Sequence, residues 1–307
     1  MKRLLPLTLS LLLAGCTLTR HPTQPATLGQ VRTFDDLNKV IDVPGPVTVD
    51  TVNTADWGVA RSGLINLNHP TAIAAGLQDG EEPIQVFFHA LHHPERGLFV
   101  VDTGTPSELR DHPDDAAIRG MIAKAANTKG MKFGTTLGDY LKKETGPLRG
   151  VFLTHFHLDH IMGMPDVPDE VPLFAGPGET GVRTPVNALT RGTLRRTLKG
   201  NAPVEFWNYA PDPTGHFEGV VDILGDNTVW ALWVPGHTPG STAYVIRTPT
   251  GPVLLTGDAC HTRWGWEHDV EPGTFSADIP KSAESFKKLK ALAAEHPTMD
   301  VRFGHQR

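Results

Sequence analysis

The chain has 307 residues, 39% of them apolar, enough for one large domain or two modest ones with a buried core. A net charge of −6 argues against DNA or RNA as a partner. With Gly 31 and Pro 26, the chain is rich in turns, which fits an α/β or α+β enzyme better than a helical bundle.

Lys2 and Arg3 precede a short apolar run over residues 4–13, and Leu13-Ala14-Gly15 supplies small residues before Cys16. The run is too short to span a bilayer and contains Pro6, so residues 1–15 read as a cleaved signal. The pattern resembles a bacterial lipoprotein signal. That resemblance implies lipid on Cys16, export, and a membrane-anchored protein facing the periplasm or the cell surface. Losing Lys2 and Arg3 takes the net charge from −6 to −8. Cys260 is the other of the 2 cysteines, so an acylated Cys16 leaves no internal disulfide.

Residues 16–46 are polar and punctuated by prolines, which predicts a tether with a short helix near 34–40. Residues 47–52 alternate apolar and polar side chains as a strand does. Residues 84–91 and 98–101 flank a turn at 93–97 and predict a hairpin whose second arm ends in Asp102. His69, His89, His92 and His93 lack partners at ligand spacing. A helix is predicted over 114–126, with Ile118, Met121, Ile122 and Ala125 on one face, and a shorter one over 135–143. A strand over 171–175 precedes a basic helix over 187–199, in or near which Arg183, Arg191, Arg195, Arg196 and Lys199 form a solvated face. Further strands are predicted over 220–224, 228–234, 241–247 and 252–256. An amphipathic helix over 279–294 and a last strand over 301–303 close the chain.

The most informative stretch follows the apolar run at 151–153, where His155, His157, Asp159 and His160 fall within six residues. His155 and His157 alternate as strand-end residues do and point to one side. A turn after them aims Asp159 and His160 at a second point nearby. One cation cannot use all four donors from so short a loop, whereas two adjacent cations can. Gly236-His237, Gly257-Asp258 and Gly304-His305 then place three more donors just beyond strands, each beside a glycine.

These four elements, in this order, resemble the metallo-β-lactamase superfamily, and the resemblance covers residues from about 47 to 307. It implies an αββα four-layer sandwich with two divalent metal ions at one edge of the sheets. By its pattern, His155, His157 and His237 hold one ion, Asp159, His160 and His305 hold the other, and Asp258 bridges them. Asp102 supports a ligand histidine from behind. Nitrogen-rich ligation suits zinc, with iron, manganese or cobalt as alternatives. Two such ions acidify a shared water, so that hydroxide is available near neutral pH. Asp159 is expected to orient that nucleophile or pass a proton.

Within that resemblance an aspartate at 258 disfavours the true β-lactamases, and the pattern is most similar to the aspartate-bridged, lactonase-like branch. Lactonases of that branch carry a tyrosine where this chain has His261. His261 either donates a hydrogen bond to the substrate carbonyl or faces solvent. Trp57, Trp264, Trp266 and Phe275 are candidates for an apolar pocket wall, with core packing as the default. The expected activity is hydrolysis of a small ester or lactone. A phosphodiester or phosphotriester is the alternative if Arg183, Arg195 or Arg196 faces the metals. A flavodiiron-type redox protein would carry a carboxylate where His157 stands.

Overall fold

Strand Val229–Trp233 shows why the chain stacks in layers. Val229 and Ala231 bury into one cluster with Phe152 and Phe174, whereas Trp230 and Leu232 bury into another with Leu37, Leu289 and Leu292. Strand Gly97–Val101 does the same, with Phe99 and Val101 facing inward and Leu98 and Val100 packed against Leu137, Ile161 and Leu194. Strands buried on both faces need cover on both sides, and helices supply it. The result is the expected αββα sandwich, here described from a computed structural model over residues 16–184 and 187–307. The predicted signal over 1–15 lies outside the described residues. Each large side chain sealed between the sheets, such as Phe152 or Tyr244, contributes roughly 1.5–3 kcal/mol.

One sheet has eight strands, in the order Thr23–Pro25, Val204–Phe206, Leu173–Ala175, Leu148–Phe152, Gly97–Val101, Glu81–His93, Thr48–Ala60, Lys132–Phe133. The other has six, in the order Asp300–Arg302, Gly251–Leu255, Thr242–Thr248, Val229–Trp233, Val220–Asp222, Gln30–Arg32. Gly97–Val101 runs parallel to Leu148–Phe152. Val229–Trp233 and Gly251–Leu255 share a direction because each is antiparallel to Thr242–Thr248, and Asp300–Arg302 is parallel to Gly251–Leu255. The C-terminal ends of these five strands therefore gather at one edge of the sandwich.

Two expectations need correction. The segment 16–46 is folded and is not a free tether. Thr23–Pro25 adds to the first sheet beside Val204–Phe206, and Gln30–Arg32 adds to the second beside Val220–Asp222. Helix Phe34–Asn38, capped by Thr33, buries Phe34 and Leu37 in the outer core. The predicted helix over 114–126 forms only over Gly120–Ala125, residues 114–119 being turn, and a separate short helix, Ser107–Asp111, precedes it. Gly120 at φ +63° starts the second, and the Glu108 carboxylate accepts the Ala117 N–H at 2.5 Å within the intervening turn. The other predicted strands and helices occur within a few residues of their expected bounds, apart from strand Thr48–Ala60, which runs well past residue 52.

Candidate metal centre

Each expected donor sits just past one of the gathered strand ends. His155 follows Leu148–Phe152, and helix Leu158–Ile161 then carries Asp159 and His160. His237 follows Val229–Trp233, Asp258 follows Gly251–Leu255, and His305 follows Asp300–Arg302. Two bonds cross between the sheets beside this edge. The Thr242 N–H donates to the Thr154 carbonyl at 2.9 Å, and the Tyr244 hydroxyl donates to the Leu153 carbonyl at 2.8 Å. Gly304 is required by proximity, because a Cβ there would lie 2.2 Å from Asp258 Oδ1.

The seven donors meet in two groups that share Asp258. Ligand atoms of His155, His157, His237 and Asp258 lie within 4.8 Å of one another, as do those of Asp159, His160, Asp258 and His305. His69, His89, His92 and His93 belong to neither group.

The imidazoles are held from behind. His160 Nδ1 faces Asp102 Oδ2 at 2.7 Å, and His305 Nδ1 faces the Gln85 carbonyl at 3.0 Å. His155 Nδ1 lies 3.1 Å from Thr154 Oγ1, and His237 Nδ1 lies 3.3 Å from Ser276 Oγ. With those nitrogens donating, the opposite ring nitrogens present lone pairs to the cluster. His237 Nε2 then lies 3.2 Å from His155 Nε2 and 2.8 Å from His157 Nδ1. Lone pairs so close, in the absence of a proton, call for a cation between them. His160 Nε2 and Asp258 Oδ1 are buried with no hydrogen-bond partner, which points the same way. Two divalent ions fit this donor set, and its nitrogen-rich half suits zinc.

The charge distribution divides the cluster. Burial holds His155 and His237 well below the usual histidine range, and it lowers His157 as well. Burial also opposes charge on His160, but the Asp258 and Asp102 carboxylates outweigh it and hold this group well above that range. His305, likewise buried, is raised to about 10 by Asp258 and Asp159. Burial disfavours ionised Asp258, yet His305 and His261 hold it well below the usual carboxylate range. The histidines of one half thus favour the neutral form, while the carboxylates around His160 and His305 favour positive charge there, which a bound cation would supply in place of a proton.

A cavity of about 710 Å³ opens onto the cluster and is bordered by His157, Asp159, His237, Asp258 and His305. Trp57 and Phe275 line it, contrary to the default of core packing, together with Phe156, Leu64 and Ile84, whereas Trp264 and Trp266 pack into satellite cores as that default has it. Among the described residues no lysine or arginine lines it. Arg196 turns to the Ala117 carbonyl, Arg191 turns to Thr17, Arg195 is exposed, and the Arg183 side chain lies outside what is described. His261 is buried beside Asp258 and does not face solvent. Its Nδ1 lies 3.0 Å from the Leu64 carbonyl and its Nε2 3.2 Å from Asp258 Oδ2.

A residue invisible to the sequence reading completes the centre. Glu179, 1% exposed, accepts the Phe156 N–H at 2.7 Å, the Gly240 N–H at 2.7 Å and the Thr238 hydroxyl at 2.6 Å. It thereby ties the loop carrying His155 and His157 to the loop carrying His237. No motif marks it, and only its burial singles it out.

The family model for the metallo-beta-lactamase superfamily matches residues 86–295. The chain belongs to that superfamily. It is accordingly a metal-dependent hydrolase. Among curated members, an N-acyl homoserine lactonase from a Bacillus species is 40% identical over 251 residues, 80% of this chain and 90% of the relative. The N-acyl homoserine lactonase AttM of Agrobacterium fabrum is 30% identical over 229 residues, 72% of this chain and 82% of the relative. Solved superfamily structures agree on the fold. A quorum-quenching N-acyl homoserine lactone lactonase superposes with a TM-score of 0.60 at 22% identity, covering 86% of this chain and 94% of that one. AidC, a dizinc quorum-quenching lactonase, superposes with a TM-score of 0.54 at 16% identity, covering 92% of each chain.

Proposed function

We propose that this protein hydrolyses a lactone bearing an apolar acyl tail, of the N-acyl homoserine lactone type. The observation that carries this reading is the cavity beside the donor cluster: its apolar walls suit a neutral, tailed ester, and no cation among the described residues lines it to receive a phosphoester. The lactonase names of the curated relatives support it.

In this reading His155, His157 and His237 would hold one ion, Asp159, His160 and His305 would hold the second, Asp258 would be shared by both, and zinc would be the native metal. When bound, the ions supply Lewis acidity, which acidifies water and polarises a carbonyl. Asp159 is both a donor and part of the cavity border, so it faces the substrate. Its carboxylate orients the attacking water, takes its proton and returns that proton to the departing ring oxygen. The carbonyl carbon gains a C–O bond, the ring C–O bond breaks, and the product is an open hydroxy acid. His261 does not border the cavity, and it acts through Asp258, whose Oδ2 lies 3.2 Å from its Nε2. We further propose lipid on Cys16 and a membrane-anchored location facing the periplasm or the cell surface. Acyl labelling of the expressed chain, abolished by Cys16→Ser, tests that part.

The activity is tested by assaying zinc-loaded protein against lactone, aryl ester, phosphodiester and β-lactam panels. Lactone turnover lost in His157→Ala and Asp258→Ala is expected. Phosphodiester turnover without lactone turnover would overturn the reading.

A further inference from the structure

One wall of the cavity beside the metal centre takes a side chain from a segment that precedes the superfamily-matched residues. Leu18 lines it together with Val182, Thr193 and Leu194. Residues 16–19 lie well outside the matched span of 86–295. Bonds fix their position. Cys16–Thr17 pairs antiparallel with Arg183–Thr184. The Leu18 N–H donates to the Val182 carbonyl at 2.8 Å, and the Thr19 N–H donates to the Thr180 carbonyl at 3.4 Å. Arg191, on helix Asn187–Thr197, directs Nη2 at the Thr17 carbonyl at 3.2 Å and at the Thr17 hydroxyl at 2.8 Å. Arg191 itself does not line the cavity. The Leu18 side chain meanwhile packs against the core cluster that contains Leu194 and Leu198.

We propose that residues 16–19 form a strap across the tail-binding part of the cavity and set which acyl lengths the enzyme accepts, with Leu18 as the specificity-determining side chain and Arg191 as its latch. This rests on the lactone reading above. A tail that reaches Leu18 gains about fourfold in affinity for each methylene it buries there, and a tail too short to reach it gains nothing. Selectivity for tail length is thereby assigned to a segment outside the matched family region, while the metal donors lie just past the strand ends. Arg191, which by charge alone belongs to a solvated face, holds the strap from outside the cavity.

The test uses the full chain, zinc-loaded, with Leu18→Ala, Leu18→Trp and Arg191→Ala. Two quantities are read. One is the ratio of kcat/KM for N-decanoyl- over N-butanoyl-homoserine lactone. The other is calorimetric binding of 1-octanol against 1-butanol, which needs no turnover. The expected result is a fall of about tenfold in the ratio for both Leu18 variants and about fivefold for Arg191→Ala, with octanol binding weakened in parallel. Arg191→Ala removes only the latch, so its effect separates the strap from simple loss of a cavity wall. Wild-type ratios together with wild-type octanol affinity in all three variants would overturn the proposal. If the unaltered protein cleaves neither lactone, the lactone reading falls, and the octanol measurement still decides the strap.

Discussion

Nδ1 of His160 lies 2.7 Å from Oδ2 of Asp102, and the same carboxylate accepts the Thr154 N–H through Oδ1 at 2.8 Å. Asp102 therefore fixes one metal-facing imidazole and the residue directly before another. It does so from φ +57°, a conformation that costs a non-glycine residue of order 1 kcal/mol or more. Asp102→Ala is expected to weaken metal binding about 10- to 100-fold, chiefly in the group that contains His160. Competition with a chromophoric chelator measures this. Wild-type affinity in the variant would show that the contact does not tune the site.

Removing the metals should loosen the fold as well as abolish activity. His237 Nε2 lies 3.2 Å from His155 Nε2 and 2.8 Å from His157 Nδ1, and without a cation these buried nitrogens lose their common partner. A bound ion stabilises the folded state by mass action, by about 4 kcal/mol at a thousandfold excess over its Kd. Exhaustive chelation is thus expected to lower Tm by on the order of 10 °C, reversibly on adding zinc. An unchanged melting curve after verified metal removal would contradict the donor geometry.

Cys260 gives a prediction about reactivity. It is buried, its Sγ–H donates to the Thr262 carbonyl at 3.4 Å, and burial pushes its thiol up to about 12. The thiolate is the reactive form, so at pH 8 only about one molecule in ten thousand is competent. Alkylation at Cys260 should be very slow in the native protein, accelerate as pH approaches the raised pKa, and become rapid on unfolding. Peptide mapping after iodoacetamide treatment reads each case.

Much of the donor cluster was legible because its candidate donors lie just past strands whose apolar period announces them. His155, His157, Asp159 and His160 are neighbours in sequence, and the three glycine-flanked donors each follow a β-type run. What was missed lacked a local signal. Thr23–Pro25 and Gln30–Arg32 are three-residue strands with mostly exposed side chains, held by backbone pairing to segments far along the chain. Edge strands so short carry no alternation to detect, and a proline-rich composition then reads as a tether. Helix Ser107–Asp111 is too short to display a helical period. His261 could be placed near Asp258 by sequence, but the direction of its ring depended on the distant Leu64 carbonyl.

Glu179 was hidden for the same reason, since its three donors lie 23, 59 and 61 residues away along the chain. Burial pushes this carboxyl up to about 7, against the pull of Thr238, Phe156 and Gly240, which all donate to it. Both oxygens are committed: Oε2 serves Phe156, between His155 and His157, and Oε1 serves Thr238 and Gly240, just after His237. Glu179→Gln keeps the shape but replaces one acceptor with an NH2 group. At least one backbone N–H is then stranded, at a cost of about 1–3 kcal/mol. The group of His155, His157 and His237 should bind its ion more weakly, while the group anchored by Asp102 changes little. Stepwise zinc titration of Glu179→Gln beside Asp102→Ala makes the comparison. Two variants that weaken opposite steps support separate anchors for the two halves, whereas equal weakening of both steps in Glu179→Gln would mean that the carboxylate only stabilises the fold.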